Sequence, residues 1–259
     1  MPAPSFPQHP GKHDHASLLR PDAVIARFLD DDSLVRPAAI IMGYAGVLVP
    51  LLEARGFARH VGYPSPWRAM WLRDGDDRVG VVEGFGFGAP GAAIVFEELV
   101  ALGATRFVNL GYAGALADDV TFGDLVLCTK ALRDEGVSHH YAAPARYADA
   151  SSRLRAALAS TLRRRDHAFV EGANWTIDAL YRETREEAEA YRDEGVLTVD
   201  MEASALFVIA QTYGVEVAAL FVVSDHLLGA ETWKITHDWS RVHEGLATAL
   251  DVAIETLTR

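Results

Sequence analysis

A repeating order of short apolar runs, polar or glycine-rich breaks and helical patterns begins at residue 38 and limits the possible folds. The apolar runs cover residues 38–42, 79–82, 107–110 and 217–223, and helical patterns cover residues 92–102 and 201–213. Short, continuous runs of this kind are typical of strands covered on both faces. Their alternation with helical segments predicts an α/β fold with a largely parallel or mixed central sheet and helices on both sides.

Each apolar run leads into a distinctive break. The breaks read Gly-Tyr-Ala-Gly at 43–46, Gly-Phe-Gly-Phe-Gly at 84–88, Gly-Tyr-Ala-Gly at 111–114 and Ser-Asp-His at 224–226. Ligands of such sheets bind at the carboxyl ends of the strands, where glycine lets a backbone N–H approach a ligand closely. One such break would indicate only a tight turn, but four at one sheet edge predict a binding site.

Composition limits the classes of function. The 259 residues contain no linker or composition shift, so we expect one domain over residues 17–259, after a flexible arm rich in Pro and His over residues 1–16. A net charge of −12 argues against a nucleic-acid or anionic-membrane partner, because nothing would neutralise the phosphates. The histidines of the arm, His9, His13 and His15, lack a second cluster at ligand spacing, so no metal site is predicted.

Cys128 is the only cysteine in the sequence. It cannot form a disulfide within the chain, which favours a reducing compartment. No apolar run reaches the length of a membrane span, and the N-terminus has no hydrophobic signal core. We therefore expect a cytoplasmic protein.

The segment Asp200-Met201-Glu202 opens an apolar helical pattern. A carboxylate such as that of Glu202 can accept two hydrogen bonds from a vicinal diol, as on a ribose, and a helix N-terminus favours its charge. Met201 would offer an adaptable apolar surface beside the sugar. An ordinary acidic first turn of a helix explains the same pattern equally well.

Ser224-Asp225 ends the most apolar run. An acid in that place could give a proton to a departing base, although Ser and Asp are also favoured helix N-caps. Residues 174–184 hold aromatic side chains ahead of a charged helical segment. These could stack on a nucleobase or pack on the following helix.

Taken in order, these segments resemble the uridine and purine nucleoside phosphorylase family. The resemblance runs from about residue 15 to the C-terminus and is carried by residues 67–69, 86–90, 97–99, 108–116, 120–126, 200–202 and 224–225. It implies a Rossmann-like, single-domain three-layer sandwich with a central mixed sheet. It also implies a homodimer or a hexamer built from dimers, a small-molecule nucleoside as ligand, and no cofactor.

The resemblance also implies roles for individual residues. Glu202 would hold the ribose 2′ and 3′ hydroxyls, Asp225 would protonate the base, and residues 178–181 would border the base. A histidine near the N-terminus, best matched by His15, would reach the ribose 5′ end in the neighbouring subunit. The catalytic residues predicted are Asp225 and Glu202. The substrate-binding residues predicted are Met201, Asp200, Gly86, Phe87, Asn109, Gly111, Tyr112, Leu180, Tyr181, Ser224 and His15 of the neighbour.

The sequence departs from the phosphorylase pattern where phosphate would bind. Three positions that carry arginine in family phosphorylases are Val47, Gly62 and Asn109 here, and Tyr112 replaces a threonine. Without charge-assisted donors, a pocket holds a phosphate dianion poorly. Only a small anion nest from the N–H groups of Gly86 and Gly111 would remain.

The Asn-x-Gly-x-Ala-Gly form at 109–114 instead resembles the hydrolytic branch, the methylthioadenosine and S-adenosylhomocysteine nucleosidases. That branch carries a glutamate base after the first glycine-rich loop, whereas residues 45–48 contain no acid. Three readings stay open: a nucleosidase in which Asn109 and loop amides polarise water, a phosphorylase that uses backbone amides and Arg68, and a non-catalytic nucleoside-binding protein. Hydrolysis of a purine or modified ribonucleoside is favoured over phosphorolysis, so phosphate is a possible but less favoured co-substrate.

Overall fold

The computed structural model describes residues 9–27, 34–61, 63, 69–228 and 233–259. In these ranges the strands are β1 (Ala39–Met42), β2 (Phe57–His60), β3 (Ala69–Arg73), β4 (Asp76–Glu83), β5 (Arg106–Ala115), β6 (Leu125–Asp134), β7 (Tyr147–Asp149), β8 (Val170–Ile177), β9 (Val196–Asp200), β10 (Glu216–His226) and β11 (Lys234–Ile235). The helices are α1 (Pro21–Ile25), α2 (Val49–Ala54), α3 (Ala89–Ala101), α4 (Ser152–Arg164), α5 (Arg185–Asp193), α6 (Ala203–Tyr213) and α7 (Ser240–Thr258). Short 3₁₀ helices cover Lys12–Asp14, Ser138–His140 and Leu180–Arg182.

The strands form one mixed sheet in the order β11-β10-β6-β8-β9-β5-β1-β4-β3-β2, with β7 paired to β6. Strand β10 also pairs with β5 in parallel, so β5, β10, β6, β8 and β9 close a circuit within the sheet. β1, β4, β5 and β10 run parallel to one another, so their carboxyl ends lie at one edge. This edge carries the candidate site.

Helices cover both faces of the sheet, because alternate residues of the buried strands belong to opposite apolar clusters. In β10, for example, Phe221 packs into the cluster that contains Phe207 of α6, whereas Leu220 packs into the cluster that contains Leu250 of α7. Burial of one such side chain stabilises the fold by about 1.5–3 kcal/mol. The predicted three-layer α/β sandwich with a central mixed sheet is confirmed.

The sequence prediction was wrong about two of the breaks. Gly-Tyr-Ala-Gly at 111–114 and Ser-Asp-His at 224–226 do not end their strands, since β5 continues to Ala115 and β10 to His226. The glycines of β5 have a packing cause: a Cβ on Gly111 would lie 3.2 Å from the Tyr44 ring, and one on Gly114 would lie 2.6 Å from Leu227 Cδ1. Glycine there admits side chains from neighbouring segments and does not form a turn.

The other two breaks do form loops. The first follows β1, and its residues Ala45 and Gly46 have positive φ values of 54° and 79°. The second follows β4 and ends at Gly88, which has a φ of 103° and is the N-cap of α3. None of the helices in the described part of the chain is both long enough and apolar enough to cross a bilayer.

Candidate active site

A cavity of about 230 Å³ lies at the carboxyl ends of β5, β9 and β10, beside the loops that follow β1 and β4. Predicted site residues that line it are Phe87, Gly111, Tyr112, Leu180, Asp200, Met201, Glu202, Ser224 and Asp225. The fold therefore places both predicted catalytic acids around one cavity. The predicted residues Gly86, Asn109, Tyr181 and His15 lie outside its lining.

Asp200 holds the start of α6 in place. Its Oδ1 accepts from Asn174 Nδ2 and Thr176 Oγ1, both at 2.7 Å, and its Oδ2 accepts from the backbone N–H groups of Glu202 and Ala203 at 3.2 and 2.8 Å. These four bonds occupy both carboxylate oxygens. Asp200 therefore positions the Met201-Glu202 segment and has little capacity left to bind a substrate.

Glu202 is the N-cap of α6, but its carboxylate reaches a different helix. Its Oε1 accepts from the backbone N–H of Gly88, at the N-terminus of α3. The helix end favours the charged carboxylate, but burial and then the charge of Asp200 outweigh it and raise the pKa of Glu202 above its ordinary value. Glu202 thus lines the cavity with its Oε1 held by the backbone at the start of α3.

Asp225 projects from an irregularity in β10. The pairing with β5 shifts between Val223 and Asp225, so Ser224 is an extra residue in the strand. Ser224 Oγ donates to Asp225 Oδ1 and Trp233 Nε1 donates to Oδ2, both at 2.7 Å. Two neutral donors therefore hold the carboxyl group of Asp225 at the cavity wall.

The position of Asn109 corrects its predicted role. It is fully buried in β5, its Oδ1 accepts from the Tyr44 hydroxyl, and its Nδ2 has no hydrogen-bond partner among the residues that the structure describes. Tyr44 lines the cavity in its place. Asn109 therefore holds the Tyr44 hydroxyl by a hydrogen bond, and its own side chain does not line the cavity. The predicted anion nest is also unsupported, since Gly86 does not line the cavity.

Glu83, the last residue of β4, hydrogen-bonds the backbone of the glycine-rich loop that follows β1. Its Oε2 and Oε1 accept from the backbone N–H groups of Gly46 and Leu48, both at 2.9 Å, and its side chain is almost completely buried. Burial raises the pKa of Glu83 to about 7, although the loop amides act in the opposite direction. Sequence reasoning sought an acid within residues 45–48 and missed the one that β4 supplies.

The segment after β8 supplies Leu180 and a further acid, Glu183, to the cavity. Tyr181 points away and is 96% exposed. Trp175 is fully buried in β8, its Nε1 donates to Asp134 at 3.0 Å, and its ring contacts Tyr191 of α5. Of the two roles considered for these aromatics, packing on the next helix holds for Trp175.

His15 lies in a different place, a groove of about 810 Å³ between the N-terminal arm and helices α1, α3 and α6. There Lys12 contacts His140, and the His13 ring hydrogen-bonds the His139 carbonyl oxygen at 3.1 Å. Its role in a neighbouring subunit stays a prediction. Gly62, Trp67 and Arg68 lie outside the described residues.

The cavity is acidic. Among the residues that the structure describes, its charged lining groups are Glu183, Asp200, Glu202 and Asp225, and no Lys, Arg or His side chain lines it. In the same described ranges, no group of three or more His, Cys, Asp or Glu side chains is arranged to hold a metal ion. Fold and site together define an α/β protein with an acid-lined ligand cavity at the strand ends.

Comparison with known proteins identifies the family. Residues 38–257 match the model of the phosphorylase superfamily. The chain is 29% identical over 239 residues to a DeoD-type purine nucleoside phosphorylase of Clostridium perfringens strain SM101, covering 92% of each chain. It is 30% identical over 184 residues to one of Aliivibrio fischeri, covering 68% of this chain and 75% of the relative.

Solved structures agree. A uridine phosphorylase from Vibrio fischeri ES114 has a TM-score of 0.73 and 26% identity, covering 88% of this chain and 94% of that chain. A purine nucleoside phosphorylase from Toxoplasma gondii in complex with immucillin-H has the same fold, with a TM-score of 0.73, 20% identity, and coverage of 87% and 92%. The chain belongs to the phosphorylase superfamily, and the resemblance inferred from its motifs is confirmed.

Proposed function

We propose that this enzyme cleaves the N-glycosidic bond of a ribonucleoside with a purine or modified base, and that water takes up the ribose. The ribose diol binds Glu202, and Asp225 gives a proton to the base nitrogen as the bond breaks. The electron pair of that bond leaves with the base, so the sugar becomes oxocarbenium-like at its anomeric carbon. Water adds to this carbon, loses a proton and yields free ribose, while Ser224 and Trp233 stabilise the carboxylate of Asp225.

The acidic lining of the cavity is the observation that favours hydrolysis over phosphorolysis. A phosphate dianion needs cationic or other charge-assisted donors, and the described lining provides four carboxyl groups instead. An ionised carboxylate about 4 Å from the phosphate would repel it by about 4 kcal/mol near a protein surface, and a protonated carboxyl group would offer it no positive charge. A neutral water molecule escapes this repulsion, and an oxocarbenium-like centre accepts even a weak nucleophile.

Glu83 supports the same conclusion. Two N–H groups of the first loop, those of Gly46 and Leu48, already donate to its carboxyl oxygens. These two N–H groups are therefore already bonded to a carboxyl group of the protein and are not available to an incoming anion. Val47, at the first position where the family resemblance places arginine, lines the cavity beside them.

Phosphorolysis is the second candidate, because the similar proteins named above are phosphorylases. It would require cations from elsewhere, either Arg68 or an arginine of a neighbouring subunit. The proposal also includes a homodimer or a hexamer of dimers, which exposed Leu19 and Ile94 beside His15 support. No cofactor is required, and a cytoplasmic location rests on the argument from Cys128.

The test is a panel of purine, pyrimidine and 5′-modified ribonucleosides, incubated with the enzyme with and without phosphate while free base is measured. We expect at least one purine or modified nucleoside to be cleaved, at a rate that stays flat from zero to tens of millimolar phosphate. Asp225→Asn protein from the same preparation controls for contaminating enzymes. A cleavage rate that rises and saturates with phosphate concentration would indicate phosphorolysis. Tight binding of a nucleoside without cleavage would indicate a binding protein.

A further inference from the structure

Glu183 shares a cavity wall with Asp225. It follows the 3₁₀ helix Leu180–Arg182 and lines the cavity together with Asp225. Asp225 is the proposed proton donor to the base, and its charge acts on Glu183, whereas the charges that act on Glu202 at the ribose end are those of Asp200 and Asp178. Glu183 is therefore placed to face the base.

The carboxyl group of Glu183 receives no hydrogen bond from any residue in the described part of the chain, although the side chain is half-buried. Asp200 and Asp225, in contrast, have both carboxyl oxygens bonded to protein donors. The carboxyl group of Glu183 is therefore free to accept a hydrogen bond from a donor on the ligand in place of water.

We propose that Glu183 determines base specificity by accepting a hydrogen bond from an exocyclic amino group of the base. This inference rests on the proposed function and narrows its substrate to an amino-substituted purine ribonucleoside. An amino group donates a hydrogen bond to a carboxylate. An oxo group in the same place is an acceptor, so it would form no hydrogen bond with the carboxylate and would be repelled by it. A hydrogen bond to a charged group changes kcat/KM by about ten- to a hundredfold.

The preference has a pH dependence with a defined sign. Burial, with the charges of Asp225 on β10 and Glu187 on α5, raises the pKa of Glu183 to about 7. Of the basic neighbours in its own segment, Arg182 is exposed and Arg185 pairs with Glu189. Above pH 7 Glu183 is an ionised acceptor, and below it the group is protonated. Preference for the amino nucleoside therefore grows from pH 6 to pH 8.

The experiment compares kcat/KM within two pairs that differ by one amino group: adenosine against purine riboside, and guanosine against inosine. Ratios within a pair cancel any effect of pH that the two nucleosides share. We expect the amino nucleoside to be preferred about ten- to a hundredfold in one pair at pH 8, and less at pH 6. Glu183→Gln keeps an amide oxygen as acceptor but loses the charge, so the preference falls severalfold, and the variant still cleaves the partner that lacks the amino group.

Glu187→Gln is the matched control, because it removes a nearby acid that does not line the cavity. It keeps the preference, and thermal melting of both variants checks that they fold. The inference is overturned if neither pair shows a preference in the wild type, or if the preference in Glu183→Gln is as large as in the wild type. Cleavage of none of the four nucleosides would instead count against the proposed function, and this inference would fall with it.

Discussion

At the scale of single residues, Asp225 carries the proton that the departing base takes up in the proposed reaction. Asp225→Asn keeps the size of the side chain and can still bond Ser224 and Trp233, but it has no acidic proton to give. Loss of a general acid lowers turnover about 10²- to 10⁴-fold, whereas KM changes little. Steady-state kinetics with a cleaved purine nucleoside measure this, and unchanged kcat would remove Asp225 from the mechanism.

Glu202 makes a second residue-scale prediction. Burial raises the pKa of Glu202 to about 8, so above that pH Glu202→Gln replaces a charged acceptor with an amide and weakens the hydrogen bonds to the ribose hydroxyls by about 1.5–3 kcal/mol in all. We expect a higher KM and a lower kcat together for ribonucleosides. Wild-type activity on 2′,3′-dideoxynucleosides is the companion measurement, and rates equal to those of ribonucleosides would show that Glu202 does not bind the diol.

Sequence alone identified those candidate site residues that belong to a short contiguous motif. Glu202 and Asp225 follow this rule, since each lies where an apolar pattern begins or ends. Glu83 carries a similar signal, an acid directly after a buried run and before a glycine-rich break, and could have been found. Glu183 reads as part of a charged helix start, and nothing in the sequence links Trp233 to Asp225. Such contacts depend on tertiary packing between distant segments.

At the scale of elements, the glycines of β5 show how strands and site depend on each other. The sequence placed the end of a strand at 111–114, but there glycine makes room for Tyr44 and Leu227 within β5. The four apolar runs correspond to β1, β4, β5 and β10, because continuous apolar sequence is typical of strands buried on both faces. The other strands were not predicted. Strand ends were not predicted either, because they depend on side chains packed against them from other segments.

Gly114→Ala tests this packing. The added Cβ would lie 2.6 Å from Leu227 Cδ1 and 3.0 Å from Asp225 Oδ2, so the carboxyl group of Asp225 must move. Overpacking of this kind costs about 1–3 kcal/mol of stability, and we expect kcat to fall at least tenfold, since small misplacements of catalytic groups are costly.

Gly91→Ala is the control for that substitution. Gly91 lies in α3, where a Cβ would meet only the Phe85 carbonyl oxygen at an ordinary 3.7 Å. Alanine favours helix by about 0.5–1 kcal/mol over glycine, so this variant keeps its activity and unfolds at slightly higher denaturant. Full activity in Gly114→Ala would show that Asp225 does not depend on the space beside β5.

At the scale of the whole molecule, the buried Glu83 couples stability to pH. Burial raises its pKa from 4.5 to about 7 in the folded state. Between these values the folded protein holds a proton that the unfolded chain has lost, so unfolding releases it. The free energy of unfolding therefore falls as pH rises from about 4.5 to about 7, by at most about 3 kcal/mol from this group, and the contribution is constant above pH 7.

Urea unfolding of the wild type and Glu83→Gln across this range measures the contribution as a difference, since other buried acids act in both proteins. Glu53→Gln, at an exposed position of α2, controls for the loss of one charge. The difference between wild type and Glu83→Gln should change with pH below about 7 and stay constant above it. A difference independent of pH would mean that Glu83 is ionised throughout.

The central claim, that an acid-lined cavity selects water over phosphate, is tested most directly by the fate of phosphate itself. Phosphorus NMR follows a cleaved nucleoside, the enzyme and tens of millimolar inorganic phosphate while released base and reducing sugar are measured in the same sample. We expect base and free ribose in equal amounts and an unchanged inorganic phosphate signal. A ribose 1-phosphate signal that grows in step with the released base would contradict the central claim.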